Sequence, residues 1–289
     1  MKNYLKFKND IQGFGDVLDT VKTVEKIAAA SIHELKIKVQ ALLMYKKALA
    51  EVLRRLSVFD VKNNHPLLKQ NNNDGKWLVI VGGEKGLVGG MHHHLMNACI
   101  DHAKNYQKFI VVGRRLNSFF EEEGMNAEKV FEGFGDIPTA ENIKICTDYL
   151  FSCFADKKFS GLDILYPEFI ALAEQNPVIV PFLPFNFDKL KMDNADQTPD
   201  MKIADGLPIF EPSKQIIYDR LLQQYVEVYF YEIMMEAKLS ELCARTVSME
   251  HASGKTEKFI KKIRLTYLKE RRKNVTQKQL ESFIVHKMS

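Results

Sequence analysis

Apolar side chains recur every seven residues along the first part of the chain, at Val21, Ala28, Leu35, Leu42, Leu49 and Leu56, with Val17, Val24, Val39 and Leu53 beside that row. A period of seven is the mark of a helix that buries one seam against another helix. The last part repeats it with Leu221, Val228, Met235, Leu242, Met249 and Ile263, interrupted by Thr256 and accompanied by Tyr225, Leu239, Ile260 and Tyr267. Between them the period changes. Residues 77–81 and 109–112 are apolar runs of strand length, each followed by glycine and then by helical stretches over 91–106 and 114–123. A further helix is predicted over 139–154, and strands over 163–169 and 177–184, the second bounded by prolines and so placed at an edge.

Proline and glycine divide the chain at the same places. All nine prolines lie between Pro66 and Pro212, and only Gly13, Gly15 and Gly254 of the 15 glycines fall in the two end segments. Helix breakers are thus absent from long stretches at either end. The predicted fold class is α/β: a long antiparallel coiled coil of N- and C-terminal helices plus a Rossmann-like α/β domain with a mainly parallel sheet. The corresponding domains are 1–65 and 208–289, forming one coiled coil, and 66–207, the α/β domain. The two shaft helices are expected over 16–58 and 213–287, with a surface loop at 71–74 and irregular chain over 185–207.

Charge follows this division. The net charge of +4 conceals +11 on residues 1–65 and 213–289 against −7 on the middle. The basic stretch 255–273, with nine cationic and two acidic residues, reads as a surface for an acidic protein partner, with a plain solvated helix face as the alternative. It has little aromatic interleaving and no clean apolar face, so neither nucleic acid nor lipid is expected. The four cysteines lie far apart without a CxxC pair, which predicts free thiols in a reducing cytoplasm. The first ten residues carry no apolar or amphipathic targeting pattern, so the chain is expected to work where it is made.

Two motifs invite chemistry and neither meets its requirements. The run GGEKGLVGG (82–90) follows a strand and opens a helix, where backbone N–H groups could hold a phosphate. It matches neither G-x-G-x-x-G nor the GK[ST] ending of a phosphate loop, and is read as a structural turn through Gly86, Gly89 and Gly90. His92, His93 and His94 point about 100° apart on a helix and cannot converge on one metal, so they are read as a solvated face. No catalytic constellation, metal site or cofactor site can be assembled from the spacing, which predicts a non-catalytic chain.

The C-terminal wording then resembles a known family, the gamma subunit or rotor of F-type ATP synthases. EAKLSELCARTVSMEHA (236–252) is similar to that family's Ser-Glu-x-x-Ala-Arg-x-x-x-Met stretch through Ser240, Glu241, Ala244, Arg245 and Met249. LTYLKERRKNVTQKQLES resembles its ending through Tyr267, Arg271, Thr276, Gln277 and Leu280, and FEPSKQIIYDRLLQQYVEVYFY resembles its entry to the long helix. EKGLVGG is similar to its Asp-Arg-Gly-Leu-x-Gly-Gly loop, and KIAAAS to its N-terminal helix.

The resemblance implies a central stalk inside a ring of alternating alpha and beta subunits. It also implies a foot beside an epsilon-like subunit and a membrane rotor ring, on the inner face of the cell membrane. It makes Lys22, Val24, Arg245, Arg271, Arg272 and Thr276 candidates for contact with the ring, and Pro208, Phe210 and Glu211 candidates for contact with the membrane rotor. Val24 stands where the family has methionine, Arg272 where it has glutamine, and the Gly-Ala tail after Val285 is missing. These departures leave open an F-like motor that hydrolyses ATP for another purpose, such as motility. A doubly wound nucleotide-using enzyme is the alternative from another class.

Overall fold

The computed structural model describes residues 3–57, 65–72, 75–186 and 210–288. Two very long helices, α1 (Asn3–Ser57) and α5 (Lys214–Met288), bracket the alternating strands and helices between them. The intervening elements are β1 (Lys76–Val81), α2 (Met91–His102), β2 (Lys108–Val112), α3 (Arg114–Glu122), β3 (Lys129–Phe131), α4 (Ala140–Ala155), β4 (Gly161–Ala171) and β5 (Glu174–Leu183). The sheet order is β3-β2-β1-β4-β5, with β1 parallel to both β2 and β4, β2 parallel to β3, and β5 antiparallel at the edge beside β4.

β1 shows why the central strands read as continuous apolar runs. Trp77, Val79 and Val81 face one side, where they join Ile143, Cys146 and Leu150 of α4 and Tyr225, Val226 and Phe230 of α5 in the larger core. Leu78 and Ile80 face the other, against Leu95, Met96 and Cys99 of α2 and Leu116 and Phe120 of α3. A parallel strand covered on both faces has no polar side to alternate with.

The chain divides into two compact units, one of residues 30–244 and one of residues 1–29 with 245–289. In the first, Leu49, Ala50, Leu53 and Leu56 of α1 enter the larger core beside Tyr218 and Leu222 of α5. In the second, Phe14 meets Phe259 edge-on at 4.9 Å between centroids and Tyr4 lies 6.4 Å from Tyr267. With Lys22 paired to Glu257, partners on α5 rise in number as those on α1 fall, so the two segments of this unit run antiparallel.

Two expectations change. α1 starts at Asn3 instead of residue 16, continuing through Gly13 and Gly15. Each glycine costs about 1 kcal/mol relative to alanine in a helix; between them Phe14 packs its ring on Phe259. The helix expected over 91–106 ends at His102 and passes into a 3₁₀ turn, Ala103–Asn105. Strand β3 has only three residues, too few for a visible alternation, and went unpredicted. Most of the irregular stretch 185–207, and residues 73 and 74 of the predicted loop, lie outside the described residues.

Candidate functional site

The glycine loop connects β1 to α2 at the carboxyl end of the parallel strands, the position where a doubly wound sheet takes its ligand. Here the chain's own groups meet one another at that position. The Gly82 N–H donates to Val112 O at 2.9 Å and the Gly113 N–H to Phe131 O at 2.8 Å. Gly113 has φ +111°, and a Cβ on it would sit 2.8 Å from Gly82 O, so only glycine lets the two turns close.

Glu84, 9% exposed, reaches into this closure. Its carboxylate accepts from the N–H groups of Gly133 at 2.8 Å, Arg114 at 3.2 Å and Phe134 at 3.2 Å. Arg114 is the first residue of α3, so the carboxylate also meets the positive end of that helix. Beyond it the loop turns through Leu87 at φ +67° and Gly89 at φ +59°, holding Leu87 60% exposed. Gly86 and Gly90 take no such backbone, and Gly90 precedes α2 without a side-chain cap.

The histidine triplet is not a uniformly solvated face. His93 and His94 are exposed, but His92 is buried and its Nε2 accepts the Gly83 N–H at 3.1 Å. That bond leaves the ring proton on Nδ1. The backbone donor at Gly83 lies nine residues away and is invisible to a helical-wheel argument. A Cβ on Gly83 would also approach the Glu241 carboxyl carbon to 2.9 Å, so α5 lies directly against the loop. Glu241 in turn pairs with Lys238 at 2.8 Å, both side chains at most 4% exposed.

Two further carboxylates of α5 face inward. Glu232 pairs with Lys46 of α1 at 2.6 Å. Glu236 accepts from Tyr166 Oη at 3.2 Å and from the Phe169 N–H at 3.4 Å. Burial holds the Glu236 carboxyl above the usual range, the two hydrogen bonds oppose this, and Glu168 and Glu232 add to it. The pairing of Lys46 had a signal in the sequence. It occupies the row Val39, Lys46, Leu53, as Glu232 occupies Tyr225, Glu232, Leu239, so each charge stands where the seam calls for an apolar residue.

The ring-contact candidates separate. Arg271, Arg272 and Thr276 are exposed, Val24 is half-buried, and Lys22 is 44% exposed in its 2.6 Å pair with Glu257. That pairing raises the Lys22 ammonium above its usual range and lowers the Glu257 carboxyl. Arg245 is only 5% exposed, unlike the other arginine candidates. Among the foot candidates, Glu211 is exposed just before α5 and Phe210 packs half-buried on the larger core, while Pro208 lies outside the described residues. Ser213 caps the first turn of α5 by accepting the Ile216 N–H at 3.3 Å.

The described fold is thus a mainly parallel five-stranded sheet with long N- and C-terminal helices. A family model described as ATP synthase matches residues 4–281, and the chain belongs to that family. It is 28% identical to the ATP synthase gamma chain of Trichormus variabilis and 26% identical to that of Protochlamydia amoebophila, covering 97% of both chains in each comparison. Among solved structures it is similar to a chain in the rotor of the Euglena gracilis mitochondrial ATP synthase, with TM-score 0.62, 17% identity and coverage of 94% of this chain and 99% of that one. A chain in the central stalk and c-ring structure of the Tetrahymena thermophila mitochondrial enzyme gives TM-score 0.58 at 14% identity, covering 81% and 99%. No described helix is long and apolar enough to cross a membrane.

Proposed function

We propose that the chain is the central-stalk rotor subunit of a rotary F-type ATPase, coupling nucleotide-site changes in a surrounding ring of alpha and beta subunits to rotation. The observation that carries this reading is the antiparallel pairing within residues 1–29 and 245–289, through Tyr4 and Tyr267, Phe14 and Phe259, and Lys22 and Glu257. A paired rod that keeps Arg271 and Arg272 outward suits steric transmission of torque, with charge-assisted bonds to ring carboxylates as the specific contacts. The matched relatives, all gamma chains, support the same role.

On this reading residues 1–65 and 208–289 act as the shaft and 66–207 as the foot. Lys22, Val24, Arg245, Arg271, Arg272 and Thr276 are the ring-facing candidates, and Pro208, Phe210 and Glu211 attach the foot to a membrane rotor ring beside an epsilon-like subunit. The complex sits peripherally on the cytoplasmic face of the cell membrane. The chain itself is non-catalytic, a reading supported by the closure of the strand-end crevice with Gly82, Gly113 and Glu84. Reconstitution with alpha and beta subunits tests the proposal: ATPase activity of the ring should depend on this chain, and a cysteine at 211 should cross-link to membrane-rotor subunits. Turnover of ATP by the purified chain alone, or cross-links from 211 confined to alpha and beta, would overturn it.

A further inference from the structure

Three backbone N–H groups from two separate segments converge on one side-chain carboxylate at the ligand end of the sheet. Arg114 contributes the N-terminus of α3, and Gly133 and Phe134 contribute the turn after β3. Gly133 takes φ +86° on the way. In a nucleotide-binding sheet, N–H groups of this kind hold a phosphate supplied from solution. Here the anion is covalently part of the loop, and Gly113 packs so closely on Gly82 and Gly83 that a Cβ on it would lie 2.8 Å from Gly82 O and 2.9 Å from Gly83 O.

We propose that Glu84 is a tethered anion, filling from within the chain the oxyanion position of a nucleotide-type sheet and thereby bracing the loop that displays Leu87. The carboxylate joins β1, α3 and the turn after β3 at one point, and Gly83 beside it accepts the Leu116 N–H and donates to His92. The exposed leucine at φ +67° is a backbone conformation that L residues adopt at a cost, and the anchor three residues before it holds the loop in place. The inference concerns the α/β part alone and stands whether or not the chain turns inside a ring.

Glu84→Ala removes the anion and leaves three donors facing a cavity the size of a carboxylate, which a small carboxylate from solution can refill. The full chain of this variant should melt roughly 4–8 °C below the natural protein, as expected for a few buried donors left without an acceptor. Formate or acetate should restore most of the loss saturably, whereas chloride at equal ionic strength should not. Glu84→Gln keeps the cavity filled and leaves one oxygen to accept from Gly133 and Phe134, but sets an amide donor against the Arg114 N–H, so formate should not help it. Of its amides at Arg114, Gly133 and Phe134, that of Arg114 should exchange with solvent at least roughly tenfold faster than in the natural chain. ATP added to the natural chain should leave those three amide resonances unmoved. An Ala variant as stable as the natural chain, rescue by chloride as good as by formate, or saturable ATP shifts at these amides would each overturn the proposal. If the Ala variant does not fold, unchanged exchange in Glu84→Gln overturns it and accelerated exchange confined to these amides upholds it.

Discussion

Lys46 of α1 and Glu232 of α5 meet at 2.6 Å in the seam of residues 30–244, with the ammonium 5.4 Å from the centroid of the Tyr229 ring. Their side chains are 8% and 22% exposed, so the two charges share an environment that supplies little water. Such a pair adds little net stability against an apolar substitute, but it penalises any register that separates its members.

Removing one partner should therefore cost about 3–5 kcal/mol, the penalty for an uncompensated buried charge. Glu232→Leu should be the more damaging single change, because it removes the 2.6 Å partner of the more deeply buried Lys46. Lys46→Met should cost less, and the double variant should recover most of the loss. Urea unfolding of the four proteins checks this, and additive single costs would show that the two charges do not depend on each other.

Lys22 and Glu257 form an equally short pair, 44% exposed on both sides, and the outcome should be the opposite. Water and salt screen it. Replacing both residues by alanine should leave the melting midpoint of the isolated chain unmoved. A large drop would mean that this pair, and not the Phe14 and Phe259 contact, holds the segment together.

The arginines should divide in the same manner. Arg271→Ala with Arg272→Ala removes two exposed side chains, so the isolated chain should keep its stability while ATPase coupling in the assembled complex weakens. Arg245→Ala removes a group only 5% exposed and should destabilise the isolated chain itself. Thermal melts of the chain beside ATPase assays of the complex separate the two effects.

Glu236 makes stability depend on pH. Burial raises its folded-state pKa above the unfolded value, so the folded chain holds more protons in that interval. The contribution is present in full below the unfolded value, in the ordinary carboxylate range, and is lost as pH rises through the folded one. Glu236→Gln stays neutral throughout. The stability of this variant relative to the natural chain should rise as pH increases above the ordinary carboxylate range, read from denaturant midpoints; a constant difference would exclude Glu236 as the source.

All four cysteines are buried, and burial pushes the thiols of Cys99 and Cys146 to about 12 and that of Cys243 to about 11. Thiolate is the reactive form. A maleimide at about pH 8 should label none of them in the folded chain within minutes and all four after unfolding. Rapid native labelling of Cys243 would show that α5 opens at this position.

The two seven-residue rows were enough to predict long helices at both ends, because heptad periodicity reports which residues face a partner helix before that partner is known. Apolar runs followed by glycine located the central strands β1 and β2 for the same reason: a strand buried on both faces writes its environment into every residue. What tertiary structure decided were the relations between groups distant in sequence. The row gave Leu42 and Leu35 equal weight, yet Leu42 is half-buried and Leu35 is 0% exposed. Arg245, Arg271 and Arg272 read alike as cations on a basic helix, but only the last two remain exposed. Glu84 resembled one more member of a glycine loop until Arg114, Gly133 and Phe134, from 30 to 50 residues away, were brought to its carboxylate. Periodicity records the side a residue faces. The donors that meet it there are fixed only when the chain has closed.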